Sequence, residues 1–206
     1  MMKVLVVTGG IGSGKSQVCR LLSEKFGIPV YEADSRAKAL YVEEPDMLDR
    51  IEAALGIGLR NGRGEFVPQY LSDIIFADPS ALRKVEDILF PVLKRDFYDW
   101  AERQGSSLVA FESATILEKT AFDDFGDIVL LVDAPVSLRL RRASERDGVD
   151  KEHIRSRMAA QTLMNRLSEG DVHSRIDYVL RNDSSMSELT QKLAEFIGKY
   201  RLTKML

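Results

Sequence analysis

Near the start of the chain, Gly9-Gly10-Ile11-Gly12-Ser13-Gly14-Lys15-Ser16 joins a run of glycines to a lysine and a serine. Gly9 and the triplet Gly14-Lys15-Ser16 are separated by four residues, which fits the phosphate-binding P-loop pattern. A polyphosphate needs several backbone N–H groups aimed at one point, with no side chain in the way. Gly9, Gly10, Gly12 and Gly14 carry no β-carbon, so the backbone can turn tightly and come close. The amides of Gly12 to Ser16 are expected to form a concave anion nest at the positive end of the helix that follows. Lys15 is expected to reach the β- and γ-phosphates as a point charge, and Ser16 to place its hydroxyl on Mg²⁺.

The flanking residues supply the elements that this pattern demands. Lys3 to Val7 reads as a buried strand. Val18, Leu21, Leu22 and Phe26 recur at helical spacing on the other side, and Gly27 with Pro29 ends that helix. Ile28 to Tyr31 reads as a second short strand, with Glu32-Ala33-Asp34 at its carboxyl end. Ligands in open α/β sheets bind beyond those ends, so Asp34 is a candidate reacting group. Its plainer role is the N-cap of a helix from Ser35, and the two can coexist.

Further along, residues 35–55 read as two short helices broken near Glu44-Pro45. Gly56 to Gln69 reads as a glycine-rich loop or small hairpin, with Asn61-Gly62 as its turn signal. Tyr70 to Gln104 has a helical pattern that Pro91 is expected to kink or break. Residues 36–104 together are expected to be a helical acceptor-binding insertion; plain packing helices are the alternative. Ser107 to Phe111 reads as a third strand and Asp127 to Val132 as a fourth. The latter is continuously apolar, as a parallel strand covered on both faces should be. Asp133 is expected to cap the next helix.

Residues 139–167 are expected to form a lid of two helices joined at Asp147-Gly148-Val149-Asp150. The segment is dense in arginine, and a guanidinium fork suits phosphate oxygens. Glu145, Asp147, Asp150 and Glu152 offer the alternative of a solvated, salt-bridged helix pair. Ile176 to Leu180 reads as a fifth strand and Ser187 onward as an amphipathic helix. His153 and His173 stand apart, without metal-ligand spacing. The expected fold class is α/β: one domain over 1–206 with a five-stranded parallel sheet and helices on both faces.

Composition bounds the rest. The chain has 206 residues, 45% apolar and 30% charged, as expected of a globular protein. A net charge of -3 provides no basic field for nucleic acid. Its one cysteine, Cys19, rules out an internal disulfide and reads as a core residue. There is no apolar run of membrane-spanning length and no room for a signal peptide before the first strand, so a cytoplasmic protein is expected. Oligomeric state is not legible.

Several stretches together resemble the dephospho-coenzyme A kinase family. Val7 to Ser16 is very close to that family's P-loop. Glu32-Ala33-Asp34 resembles its Asp-Ala-Asp, and Leu71 to Phe76 with Phe90-Pro91 matches its middle segment in spacing. Arg142 to Asp147, Gln161, and Asp177 to Asn182 echo its lid and final strand. Three positions depart on the acceptor side: Ser72 stands where the family usually has arginine, Phe90 where it has histidine, and Ala114 to Glu118 where it has Pro-Leu-Leu-Phe-Glu.

The resemblance implies a P-loop nucleoside-kinase-like three-layer fold. It also implies phosphorylation of the ribose 3′-hydroxyl of dephospho-coenzyme A, with ATP and Mg²⁺ and without nucleic-acid or membrane partners. Asp34, Lys15, Arg142 and Arg146 would be catalytic. ATP would contact Gly10, Ile11, Gly12, Ser13, Gly14, Lys15, Ser16 and Gln17, with Asn182 near the adenine and Ser16 on the metal. Another P-loop kinase, for a nucleoside monophosphate or a different alcohol, is the nearest alternative. A nucleotide-binding switch would carry a guanine-reading Asn-Lys-x-Asp motif, which the chain lacks.

Overall fold

Five strands pair in parallel in the order β2-β3-β1-β4-β5. They are β1 (Lys3–Thr8), β2 (Val30–Glu32), β3 (Leu108–Glu112), β4 (Ile128–Asp133) and β5 (Tyr178–Arg181). The computed structural model describes residues 2–200 and 202, so residues 1, 201 and 203–206 of the expected domain lie outside the described residues. β1 is central, between β3 and β4, and is buried from Val4 onward, which explains its unbroken apolar run. Leu5 and Val7 join a core with Val18 and Leu22 of α1 (Lys15–Phe26) and Leu193 and Phe196 of α9 (Met186–Tyr200). Val4 and Val6 point to the opposite face and are also buried. Register brings Val7 level with Glu112 and Leu130, and Asp133 level with Arg181. The carboxyl ends of β1, β3, β4 and β5 thus share one edge of the sheet.

The chain divides into two compact units, Met1–Glu32 with Gln104–Leu206, and Ala33–Arg103. The first holds the sheet. It also holds α6 (Val136–Asp147), α7 (Lys151–Ala159) and α8 (Thr162–Ser168). These are three helices where the arginine-rich segment predicts two. The extra break falls at Gln161, whose backbone leaves helical geometry (φ -88, ψ 67) while its N–H still bonds the Met158 carbonyl. Asp150 caps α7 by accepting from the His153 N–H at 2.8 Å. Asp133 does not cap α6, contrary to expectation. Its carboxylate pairs with Arg181, its carbonyl accepts from the Asn182 N–H, and Pro135 precedes the helix.

The second unit is helical: α2 (Ala33–Glu43), α3 (Met47–Leu55), α4 (Pro68–Ala77) and α5 (Pro79–Gln104). Arg36 of α2 holds Asp96 of α5 in a two-pronged ion pair at 2.8 and 2.9 Å. The glycine-rich stretch forms a minimal hairpin, with one antiparallel bridge between Arg60 and Phe66. Pro91 does not break its helix, which is a second correction. The break lies at Asp78, held extended by Pro79 (φ -130, ψ 107). Asp78 then caps α5 by accepting from the Ser80 N–H at 2.7 Å. Pro91 is exposed while Leu89, Val92, Leu93 and Phe97 are buried, so the apolar face continues past the lost hydrogen bond.

Candidate active site

The loop from Gly9 to Gly14 leaves the carboxyl end of β1 and delivers the chain into α1. Its shape depends on missing side chains. A β-carbon on Gly12 would lie 2.1 Å from the Arg139 carbonyl oxygen, and one on Gly14 would lie 2.0 Å from Asn182 Nδ2. Both glycines have left-handed backbones, with φ of 74 and 99. Gly14 is the N-cap of α1 and offers no side-chain hydrogen bond. The Gln17 and Val18 amides turn back to the Gly14 carbonyl, and the Ser13 amide to that of Gly10. The amides of Gly12, Gly14 and Ser16 make no backbone hydrogen bond among the described residues. Thr8 Oγ1 and Ser13 Oγ are buried beside them without a partner. Buried hydroxyls are normally satisfied, so orphans around an uncapped helix start fit a site built for a polar anion.

Lys15 is drawn back over the loop. Its Nζ donates to the Gly9 carbonyl at 2.8 Å and lies 3.8 Å from Glu112 at the end of β3. Ser16 is exposed at the helix start. Gln17 points its amide at Met186 Sδ. Cys19 is a core residue; burial, reinforced by Glu112 and Glu32, pushes its thiol pKa up and keeps it protonated.

Asn182, Arg139 and Gln161 meet the loop from distant parts of the chain. Asn182, buried at the end of β5, donates from Nδ2 to the Ser13 carbonyl at 2.8 Å. Arg142 Nη1 donates to the carbonyl of Asn182 at 2.9 Å. Burial lowers the Arg142 pKa, Arg141 adds to this, and Asp183 opposes it. Arg139 is buried under the loop, with its pKa lowered by burial and supported by Asp133. Arg146 is separate from this group: it is an exposed partner of Asp147, which Arg157 also holds. Arg155 and Arg166 likewise pair with Glu152 and Asp171. The structure thus gathers the glycines, Lys15, Asn182 and Arg142, and leaves Arg146 in a surface ion pair. Sequence reasoning gave Glu112 and the buried Arg139 no separate role. Glu112's position at a strand's carboxyl end was the available signal.

Asp34 belongs to the helical unit. It lies in the first turn of α2, which begins at Ala33, so it is one step inside the helix rather than its cap. It lines a cavity of about 480 Å³ within that unit, with Lys38, Tyr41, Leu71, Ser72 and Ile75 on the walls. Two of the sequence's marked positions, Asp34 and Ser72, therefore share one cavity. Phe90 is half-buried in α5.

The profile of the dephospho-CoA kinase family matches residues 3–188. A dephospho-CoA kinase of Porphyromonas gingivalis is 41% identical over 160 residues, 78% of each chain. One of Salinibacter ruber is 34% identical over 197 residues, covering 94% of this chain and 96% of its own. The crystal structure of TT1252 from Thermus thermophilus superposes with a TM-score of 0.81 at 27% identity, over 98% of this chain and 99% of that one. An uncapped glycine loop on a parallel sheet, in a chain matched over nearly its whole length, places this protein in the dephospho-CoA kinase family.

Proposed function

We propose that the chain transfers the γ-phosphoryl group of ATP to the ribose 3′-hydroxyl of dephospho-coenzyme A, giving coenzyme A and ADP. The observation that carries this reading is the uncapped nest at Gly12–Ser16, with its buried orphan hydroxyls, in a chain of this family. The nest amides hold the phosphates. Lys15 exchanges the Gly9 carbonyl for β- and γ-phosphate oxygens and supplies charge where the transition state develops it. Mg²⁺, when bound, neutralises phosphate charge, and the exposed Ser16 hydroxyl is the loop's oxygen ligand for it. Asn182 holds the Ser13 peptide, and through that the loop beneath the nucleotide. Arg142 is a lid arginine within reach of this assembly, with Arg139 buried beneath the loop. Arg146 acts only after leaving Asp147.

Asp34 accepts or orients the proton of the attacking hydroxyl, and the cavity it lines takes the acceptor. Residues 139–167 form the lid that excludes water, and residues 36–104 the acceptor-binding insertion. ATP and Mg²⁺ abundance fits a cytoplasmic setting, as does a lone buried cysteine. No described helix is long and apolar enough to cross a membrane.

A panel of acceptors tests the reading: dephospho-coenzyme A, nucleoside monophosphates and shikimate, each with ATP and Mg²⁺, followed by ADP release and product mass. Coenzyme A is the expected product. Turnover of another acceptor without coenzyme A would reject the assignment.

A further inference from the structure

Ile11, in the phosphate-binding loop, is held on three sides by residues 136–168. Its N–H donates to Gln161 Oε1 at 2.8 Å. Its carbonyl accepts from Arg139 Nε at 3.0 Å. Its side chain packs on the small core formed by Leu140, Ala143, Ile154 and Met158. The two polar partners lie 150 and 128 residues away, so no local turn enforces either contact. Arg139 is 1% exposed, and its guanidinium occupies the place a β-carbon on Gly10 would need, 2.0 Å from Nη2. Gln161 stands between α7 and α8, so a break in the helical run aims its side chain at the loop.

An amide already donating to a side chain is closed to a phosphate oxygen. Ile11 is therefore the loop's anchor, and the nest begins after it. We propose that Gln161 is a positioning residue for the phosphate-binding loop. By holding the Ile11 peptide it keeps the following amides in their anion-ready arrangement, and it makes that arrangement depend on how residues 136–168 are seated. This role rests on the ATP-dependent reading above. A loop released from Gln161 samples other shapes, and its apparent affinity for nucleotide falls with the fraction still competent. Once nucleotide occupies the nest, the loop is ordered again and turnover is preserved.

The test compares Gln161→Met, which keeps the length but replaces the amide oxygen by a weakly accepting thioether, with Gln161→Glu, which keeps an acceptor oxygen. In the nucleotide-free full chain, hydrogen exchange at the Ile11 amide is expected to quicken about tenfold in Gln161→Met and to stay near the unaltered rate in Gln161→Glu. In Gln161→Met the KM for ATP is expected to rise about fivefold, with kcat within about twofold and Tm within about 2 °C. Native protection of Ile11 in Gln161→Met would overturn the role. So would a fall in kcat and Tm with the KM for ATP unchanged. An unaltered chain that binds no ATP would instead overturn the proposed function, and the exchange measurement reads the Gln161 contact regardless.

Discussion

Asp34 and Asp147 are the same residue type in two settings, one lining a cavity and one in a surface ion pair. Asp34 sits in the first turn of α2, where a carboxylate is favoured by the helix dipole. Asp34→Asn keeps the shape and gives up the proposed proton acceptor. It is expected to lower kcat by about 10²–10⁴-fold while ATP affinity stays within about twofold, as measured by steady-state kinetics and calorimetry. An unchanged kcat would remove Asp34 from the chemistry. Asp147 is surface electrostatics: Arg146 first, then Arg157, holds its carboxyl at about 2, below the ordinary 3.8. Because the folded value is the lower one, whatever stability this pairing adds is complete above the unfolded value. It is lost as pH falls from about 4 toward 2. NMR titration of the Asp147 carboxyl should show this, and Arg146→Ala should move the midpoint up.

At the scale of elements, the loop and α1 form one device whose glycines are obligatory for tertiary reasons. Gly14→Ala puts a β-carbon against Asn182 and strains a left-handed backbone, which alone costs about 1–2 kcal/mol. Thermal melts should register that loss, and ATP affinity should fall at least about tenfold because the nest is displaced. Asn182→Ala in the same chain removes the collision and should recover part of the affinity. α5 makes the opposite point about local rules. Its proline is harmless because the ring faces solvent and the buried face runs on beneath it.

At the scale of the molecule, the sheet-bearing unit and the helical unit each carry buried apolar residues of their own. Phe97, fully buried in α5 of the helical unit, is a measure of that unit's stability. Phe97→Ala should cost about 3–5 kcal/mol and lower the Tm by about 10 °C in calorimetry. A shift of less than about 2 °C would mean that the helical unit can unfold without carrying the transition.

The P-loop was legible because everything it needs is contiguous: an apolar strand, glycines at set intervals, Gly-Lys-Ser and a helix. β1 and β4 were legible because burial on both faces leaves unbroken Val and Leu runs. Other features depend on partners far along the chain, and no local pattern encodes them. β1 lies centrally only because β3 and β4 pair on either side of it. Asp133 meets Arg181 only through the register of β4 with β5. The arginines of residues 139–167 look alike in sequence, yet folding buries Arg139 under Ile11, directs Arg142 to Asn182 and leaves Arg155 and Arg166 in surface pairs. A motif spells out the groups that can bind phosphate; which distant side chains hold that motif in shape is decided by packing.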